Sequence, residues 1–496
     1  MSRHLESASF PHRLRRVVIE PLTRVEGHGK VTLLVDEAHH VCQARLHIVE
    51  FRGFEKFIQG RPYWELPVVV QRLCGICPVS HHLAAAKAVD NLVGVSQLTP
   101  TAEKLRRLLH RGQILQSHAL HFFHLASPDL LFGFDDAVSH RNLLGLIADR
   151  PQLAMQGVKL RRFGQQVIAA IAGKRIHGVA AVPGGMNKPL AVADRDALLR
   201  EVRQVIPWAR EAVALVKRLY ESRADHFDQF AAIRSKMLSL VRTDGALELY
   251  DGVLRVRDEA NHILFDQLPA HRYADVIHEQ VKSWTYMKFP FLTQFGPDHG
   301  WYRVGPLARL NNCDFITTPL AESERREFLA MARGGSVQAS LAYHWARMVE
   351  LLYAAEGIEV LLLDADILGT DLKISGEPRR EGIGVIEAPR GTLIHHYQIR
   401  EDGLVERANL IVATTHNNQA MNEAIRQVAG RYLDGMTLTE PLLNQIEVAI
   451  RAYDPCLSCA THALGKMPLQ VELIDAQGRV IDRLVKGAGS LSVADG

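Results

Sequence analysis

The sequence has few cysteines, no long apolar run and almost no excess of one charge. Its 496 residues include six cysteines, and 58 lysines and arginines face 55 aspartates and glutamates. A chain this close to neutrality gives no support for nucleic-acid binding. No stretch reaches the ~18 apolar residues of a membrane-spanning helix, and the first residues, MSRHLESASF, lack the apolar middle of a signal peptide. We therefore expect a cytoplasmic protein that neither binds nucleic acid nor inserts into a membrane.

The hydrophobic pattern predicts a mainly α protein with smaller α+β elements. Short β-branched runs predict strands in residues 15–60 and 383–415. Apolar residues at three- and four-residue spacing predict a helical core in residues 64–240 and 322–355. Because no repeat and no linker divides the chain, we expect one helix-dominated body to which both ends contribute β structure.

Three local signals refine this prediction. Thr99 followed by Pro100 is typical of the N-cap and first residue of a helix. The pairs Asp251–Gly252 and Asp402–Gly403 are each typical of a two-residue hairpin turn. We therefore predict a helix from Pro100 and a hairpin around each Asp–Gly pair.

Four of the six cysteines lie in two similar segments near opposite ends of the chain. The segments are RLCGICPVSHH (residues 72–82) and DPCLSCATH (residues 454–462), and each combines Cys-x-x-Cys with a proline and a histidine. In a reducing compartment such pairs are more often metal ligands than disulfides. We expect the two segments to meet in the fold and to bind metal.

The first segment predicts a reactive sulfur at the start of a helix. Pro78 favours the first helical turn, which puts Cys77 at the helix N-terminus. The positive end of the helix dipole favours a thiolate there. His81 follows four residues after Cys77, on the same helix face, from which it can donate a hydrogen bond to the sulfur.

The second segment predicts a similar helix start. Asp454 is typical of an N-cap, with Pro455 as the first helical residue. Cys456, Cys459 and His462 then recur at every third residue, which indicates that they share one stripe.

Residue types and spacing alone leave several interpretations open. A structural zinc site is one, although zinc ribbons close loops of about 15–20 residues between their pairs and these pairs lie at opposite ends of the chain. An iron–sulfur cluster held by four thiolates is another. Unliganded buried cysteines fit the repeated proline and histidine context less well.

The wider context resembles the large subunit of nickel–iron hydrogenases. RVEGHG (24–29), FRGFE (51–55) and the two cysteine segments occur in the order found in that family, over nearly the whole chain. The longer segments EPLTRVEGHGKVTLLVD, RLCGICPVSHHLAAAKAVD and DPCLSCATHALG are most similar to the soluble, NAD-reducing bidirectional type. The resemblance implies the family's helical fold and reversible, heterolytic cleavage of dihydrogen.

The resemblance also implies the metal ligands. Cys74, Cys77, Cys456 and Cys459 match the four cysteines that hold nickel, and Cys77 and Cys459 match the two that bridge to iron. Soft thiolates suit both metals. In the family, carbon monoxide and two cyanides complete the iron shell.

Residues around the metals are implied in the same way. Glu26 matches the glutamate that relays protons from a nickel cysteine, and Arg390 in EAPRGTL matches the arginine over the centre. Ser117 stands where the family often has an aspartate near this arginine, which leaves Asp454 as the acidic partner for Arg390. Taken alone, Glu26 and Arg390 would be read as ordinary turn residues.

A second metal is implied at the edge of the centre. Glu55 and His462 match the ligands of a hard cation, usually magnesium, and a carboxylate oxygen with waters suits such an ion.

The resemblance further implies proteolytic maturation. Residues 1–462 would form the catalytic body, and residues 463–496 would be a maturation peptide that is removed after His462. Maturation protease and nickel-insertion proteins are the expected partners in this process.

Electrons need a partner protein to leave the chain. Only Cys42 and Cys313 remain outside the pairs, too few for a four-thiolate cluster, and no Gly-x-Gly-x-x-Gly segment predicts nucleotide binding. We therefore expect an iron–sulfur small subunit and a diaphorase module that binds flavin and NAD, so that iron–sulfur clusters and flavin lie on partner subunits only.

Three alternatives to an NAD-linked hydrogenase stay open from the sequence. One is a hydrogenase of another soluble type with a different acceptor, linked to methyl viologen or a deazaflavin. The others are a zinc-stabilised scaffold and a complex I-like subunit, which would be a structural, quinone-site protein without the nickel site.

Overall fold

A computed structural model gives the fold of this chain. It describes residues 15–36, 38, 40–332, 335–433, 439–461, 469–474, 480–487 and 490–493. Helices contain more of the described residues than strands do, and the strands lie in small sheets. The prediction of a mainly α protein with smaller β elements is confirmed.

Sixteen α-helices are present in the described part of the chain. They are α1 Phe54–Phe57, α2 Leu66–Val69, α3 Pro78–Leu92, α4 Pro100–Leu120, α5 Ser127–Phe132, α6 Leu143–Asp149, α7 Pro151–Ala172, α8 Val192–Glu221, α9 Ala224–Gln229, α10 Gly296–His299, α11 Pro306–Asn312, α12 Pro319–Ala330, α13 Ala342–Leu363, α14 Ala413–His416, α15 Asn418–Val428 and α16 Glu440–Ala452.

The described residues also contain seventeen strands. They are β1 Arg15–Ile19, β2 Gly29–Val35, β3 Val41–Ile48, β4 Ala181–Val182, β5 Gly185–Met186, β6 Lys236–Val241, β7 Val253–Arg257, β8 Ile263–Pro269, β9 Ile277–Gln280, β10 Phe289–Leu292, β11 Tyr302–Arg303, β12 Glu381–Ala388, β13 Gly391–Ile399, β14 Val405–Ile411, β15 Leu469–Ile474, β16 Val480–Gly487 and β17 Ser490–Val493.

The strands form several small sheets rather than one large one. Antiparallel sheets have the orders β1-β2-β3, β12-β13-β14 and β15-β16-β17, and a mixed sheet has the order β11-β6-β7-β8. Two-stranded pairs join β4 to β5 and β9 to β10. Because the sheets are small, the helices supply most of the core.

Helix α13 lies at the centre of this core. It is apolar on almost all sides and packs against α4, α8, α11 and α12, as expected for a helix surrounded by other helices. Its polar residues Arg347 and Glu350 are fully buried. Helix α3 packs against β12 and β13, which brings the first cysteine pair next to the hairpin that follows residue 380.

Several local predictions are confirmed. Thr99 caps α4, because its side chain accepts a hydrogen bond from the Ala102 amide (3.2 Å), and Pro100 is the first helical residue. Cys77 is the N-cap of α3 and Pro78 follows it. The turn at Asp402–Gly403 joins β13 and β14, which pair antiparallel.

The hairpin predicted at Asp251–Gly252 is wrong. Strand β7 begins at Val253 and pairs with β6 and β8 instead of with residues 246–250. The Asp251 carboxylate accepts a hydrogen bond from Lys87 (2.8 Å), so this Asp–Gly pair serves a tertiary contact. Turn propensity is a local signal and does not select the partner strand.

The helical core also has different limits from those predicted. Residues 236–241 form β6 rather than the end of a helix, since a short apolar run does not distinguish a strand from a buried helix. The helical region predicted over residues 322–355 consists of α12 and α13, which together extend from Pro319 to Leu363. The glycine- and serine-containing stretch between them disfavours a continuous helix.

Among the helices of the described residues, none has the length and apolar character needed to cross a membrane.

Candidate metal centre

The first cysteine pair lies in a tight loop before α3. Cys74 ends a short 3-10 turn, and its sulfur accepts hydrogen bonds from the amides of Ile76 and Cys77, both at 3.2 Å. Cys77 follows at the N-terminus of α3. Amide donors and the helix dipole both favour a negative charge on these sulfurs.

The second pair lies in an irregular loop after α16. Asp454 has a positive φ of 53° and precedes no regular α-helix, so the predicted N-cap role of Asp454 and helix start at Pro455 are wrong. A short 3-10 turn, Ser458–Ala460, follows instead. The reason is that the Asp454 carboxylate accepts a hydrogen bond from Arg390 rather than from its own following amides.

The loop that carries Glu26 runs alongside this second pair. Glu26 forms a parallel bridge with Cys456, and its carbonyl accepts a hydrogen bond from the Leu457 amide (2.9 Å). Gly27 has a φ of +86°, and a Cβ atom there would lie 2.5 Å from the Ser458 amide nitrogen. Only glycine fits at residue 27, because both the backbone conformation and the close approach exclude a side chain.

The four sulfurs converge. The Sγ atoms of Cys74, Cys77, Cys456 and Cys459 all lie within 4.8 Å of one another, and all four residues are buried. Cys456 Sγ is 3.2 Å from Cys74 Sγ and 3.1 Å from Cys459 Sγ. Within the described ranges this is the one group of three or more histidine, cysteine or acidic side chains arranged to hold a metal ion.

The donor set fits soft metals. Hydrogen bonds from Cys456, Cys459 and Cys74 hold the pKa of Cys77 well below its usual value, whereas burial raises the pKa of Cys456 and Cys459. Four thiolates packed in a dry site repel one another, so bound cations are needed for all four to lose their protons. Thiolate ligands select nickel, iron, zinc or copper over hard cations.

Arg390 lies beside the sulfurs and is buried. Its Nε and Nη2 donate to the Asp454 carbonyl (2.6 Å) and to Asp454 Oδ1 (3.0 Å), and Nη1 donates to Ser117 Oγ (3.3 Å). Burial alone would lower the pKa of Arg390, but the charges of Asp454 and of the thiolates raise it well above its usual value. A permanent positive charge therefore faces the anionic sulfurs.

Glu26 contacts the sulfur of Cys456. The Cys456 thiol donates to Glu26 Oε2 (3.0 Å), as does the Ser458 amide (3.2 Å), and the Ser458 hydroxyl donates to Glu26 Oε1. The Thr414 hydroxyl accepts from the Cys456 amide (3.0 Å). The sequence analysis did not identify Ser458 or Thr414. Ser458 lies between Cys456 and Cys459, and this position is the signal by which it could have been found. No local sequence signal marks Thr414.

His81 also lies against the first pair. It contributes a hydrogen bond that lowers the pKa of Cys77, and its Nδ1 is 3.1 Å from His395 Nε2. The sequence spacing from Cys77 thus predicts a contact that the structure contains.

Glu55 belongs to a separate buried cluster of charges. Lys288 Nζ donates to Glu55 Oε1 and to Glu279 Oε2, both at 3.2 Å, and the Leu410 amide donates to Glu55 Oε1 (3.0 Å). Burial raises the pKa of both carboxyl groups. His462 lies outside the described residues, but the Thr461 carbonyl before it accepts from the amides of residues 52 and 53. Thr461, the last described residue of this stretch, therefore lies beside the loop that leads to Glu55.

The donor atoms of this cluster fit a hard cation. The carboxylates of Glu55, which is buried, and Glu279, which is partly buried, share one lysine, and Glu279 Oε1 has no hydrogen-bond partner among the described residues. Carboxylate oxygens are the ligands that magnesium prefers. Neither Lys288 nor Glu279 was predicted from the sequence, because neither lies near a recognisable motif.

Known proteins match this chain over nearly its whole length. A family model described as nickel-dependent hydrogenase matches residues 52–133 and 253–462, and one described as HoxL-like matches residues 16–51. The beta subunit of the NAD-reducing hydrogenase HoxS of Cupriavidus necator is 48% identical over 94% of this chain and 99% of its own length. A hydrogenase subunit from Methanothermobacter thermautotrophicus is 40% identical over 95% of this chain and 100% of its own.

Solved structures agree with these matches. The crystal structure of an NAD-reducing NiFe hydrogenase in the dihydrogen-reduced state has a TM-score of 0.89 and 58% identity, and covers 90% of this chain and 99% of its own. The Ni-Fe-Se hydrogenase of Desulfovibrio vulgaris Hildenborough, at 24% identity over 90% of this chain and 100% of its own, has a TM-score of 0.74 and shows the shared fold alone. The matches favour a hydrogenase over the zinc-stabilised scaffold and the complex I-like subunit. The chain belongs to the nickel-dependent hydrogenase family, as a large subunit of the NAD-reducing nickel–iron type.

Proposed function

We propose that this chain cleaves dihydrogen reversibly and heterolytically at a nickel–iron centre, with Cys74, Cys77, Cys456 and Cys459 on nickel and with Cys77 and Cys459 also bridging to iron. The convergence of four buried sulfurs within 4.8 Å carries this proposal. The bound metals would supply the Lewis acidity that makes dihydrogen acidic enough to split.

The chain's own residues would handle the proton and the charge. A terminal thiolate, Cys456 or Cys74, is the base nearest to the centre, and Glu26 lies 3.0 Å from Cys456 Sγ. Glu26 is half-buried, so a proton that it accepts can move on towards the surface. Arg390 would hold its positive charge against the sulfurs and orient the substrate.

Carbon monoxide and two cyanides on iron are part of the proposal. A small cavity beside Cys77 and Cys456 is walled by the apolar residues Pro389, Leu393 and Val412, together with Arg390, Thr414, His81 and two alanines. This lining is largely apolar and offers few polar contacts to such ligands. No side chain can supply carbon monoxide or cyanide, so maturation proteins would install them.

Electrons would pass to an iron–sulfur small subunit and then, through a flavin-containing diaphorase module, to NAD. Two observations support this route: the relative from Cupriavidus necator is named as a subunit of an NAD-reducing hydrogenase, and this chain has only two cysteines beyond the two pairs. Reduction of NAD by dihydrogen in the purified complex, against reduction of methyl viologen alone, distinguishes this acceptor from another.

Magnesium is proposed at Glu55. The carboxylates of Glu55 and Glu279, which lie on either side of Lys288, support it, with His462 as the second protein ligand.

Metal analysis with infrared spectroscopy tests the centre. We expect equal amounts of nickel and iron and one magnesium per chain, together with infrared bands of iron-bound carbon monoxide and cyanide, because four soft sulfurs and one hard-oxygen cluster are present. Zinc alone, or a metal-free active protein, would contradict the proposal.

We also propose that residues 463–496 are removed after His462 once the metals are in place. Residues 469–493 include a three-stranded antiparallel sheet, β15-β16-β17, formed within the tail itself. A tail with its own pairing can be released without breaking a strand of the body.

Blocking this cut is expected to leave an inactive precursor. We predict that Ala463→Pro, which changes the backbone at the bond, gives a chain whose intact mass extends to Gly496 and which has little hydrogenase activity. Ala463→Ser keeps a small side chain and should be cut normally. Full activity in a protein of intact mass would refute this role of the tail.

A further inference from the structure

We propose that Arg309 is the positioning residue for Arg390. Arg309 is fully buried in α11 and donates no hydrogen bond to the four sulfurs, but it holds the short turn from which Arg390 projects. This inference rests on the proposed role of Arg390 at the metal centre.

Arg390 lies in a turn that the local sequence does not favour. Strands β12 and β13 pair up to Ala388 and Gly391, so Pro389 and Arg390 are a two-residue hairpin connection. Such connections favour turns whose first central residue has a positive φ. Proline fixes φ near −65°, so this turn needs support from elsewhere.

Arg309 supplies that support through its guanidinium. Nη1 donates to the Ala388 carbonyl (2.9 Å) and Nη2 donates to the Pro389 carbonyl (3.3 Å). These are the two peptide groups that lead directly into Arg390. Moving either one would rotate the start of the Arg390 side chain.

The remaining donors of Arg309 fix its own position. Nε and Nη2 donate to the two oxygens of Glu350 at 2.5 and 2.6 Å, and Nη1 donates to Glu387 Oε2 at 2.8 Å. All five N–H groups of the guanidinium therefore have an acceptor.

The two carboxylates are themselves held. Glu350, on α13, accepts from His118 on α4 (3.0 Å). Glu387, on β12, accepts from the Leu240 amide (2.9 Å) and from the Thr392 hydroxyl (2.7 Å). Arg309 thus links the turn of Arg390 to the helical core and to the mixed sheet.

Lysine cannot replace this arrangement. An ammonium has three donors and no fork, so it can keep the charge but not all five contacts. The carbonyls of Ala388 and Pro389 would be the contacts released first, because the two carboxylates attract the cation more strongly.

The test is Arg309→Lys in the complete, metal-loaded enzyme complex. We expect the nickel and iron content of the parent, shifted infrared bands of the iron-bound carbon monoxide and cyanide, and a turnover number lower by about 100-fold, since a displacement of about 1 Å can cost this much.

Arg106→Lys is the matched control. Arg106 is also fully buried and donates to Asp90 (2.5 and 3.2 Å) and to the carbonyls of Val182 (3.1 Å) and Gly185 (2.9 Å), remote from the turn of Arg390. It should lose a similar amount of thermal stability and keep the parent infrared bands and turnover.

The outcomes separate the two proposals. If the parent enzyme itself lacks the infrared bands, the proposed function fails. If the parent enzyme has these bands but Arg309→Lys changes neither the bands nor the turnover number, the positioning role fails. It also fails if Arg106→Lys changes the bands and the turnover number as much as Arg309→Lys does. If the Arg309→Lys protein does not accumulate, Glu350→Gln is the second variant, because it weakens the hold on Arg309 without removing the guanidinium. We expect it to shift the infrared bands relative to the parent enzyme. Unshifted bands in this variant would overturn the inference.

Discussion

Cys459→Ser is expected to give a folded chain that holds neither nickel nor iron and has no measurable hydrogenase activity. Cys459 is fully buried, and its sulfur lies 3.1 Å from Cys456 Sγ. A serine hydroxyl is a harder ligand and stays protonated, so it cannot replace the thiolate that we propose to be shared by nickel and iron. We expect activity to fall by more than about 100-fold, beyond the loss seen when only an outer partner of a metal ligand is removed.

Cys313→Ser is the control for this experiment. Cys313 is equally buried, and burial raises its pKa to about 11, but it is not one of the four converging cysteines. Metal analysis should find parent amounts of nickel and iron in this variant. If Cys459→Ser retained both metals, the assignment of the four-sulfur site would be wrong.

Glu26→Gln is expected to leave the metals in place and to slow dihydrogen oxidation by about 100- to 10,000-fold, the range over which a positioned proton-transfer group acts. Glutamine has the same shape and can still accept from the Ser458 amide, but it cannot carry a proton away from Cys456. Infrared bands and metal content report the intact centre, while dihydrogen uptake and isotope exchange with water report the proton step.

Glu50→Gln provides the matched control. Glu50 lies near the same loop, accepts from the His28 amide (3.2 Å), and forms an ion pair with Arg52 (2.9 Å). The same carboxylate-to-amide change there should leave dihydrogen oxidation unaffected. A metal-loaded Glu26→Gln protein that oxidises dihydrogen at the parent rate would exclude Glu26 as the relay.

The predictable parts of this protein are those governed by neighbouring residues. Thr99 caps α4 and Cys77 begins α3 because a cap and a first-turn proline are sufficient to start a helix. Asp402–Gly403 makes a hairpin because apolar strands flank it on both sides. Asp251–Gly252 has the same turn signal, yet the adjacent strand finds its partners in β6 and β8.

The parts that were missed depend on distant residues. Asp454 looks like an N-cap, but its carboxylate binds Arg390, 64 residues away in sequence. Lys288 shares its charge between Glu55 and Glu279, and Arg309 between Glu350 and Glu387. Buried ionic groups must satisfy one another inside the fold, and hydrophobic periodicity does not report which groups meet.

The amino-acid sequence by itself determined the chemistry of the ligands: soft sulfurs in two spaced pairs, one of them at a helix start, in a chain with too few other cysteines for its own electron path. Only the tertiary structure decided that these sulfurs share one buried point, and that Arg390 and Glu26 face it. The physical reason is that ligand type and helix initiation are local properties. The meeting of residues 74 and 456 depends instead on how helices and sheets bury their apolar faces and pair their charges across the whole chain.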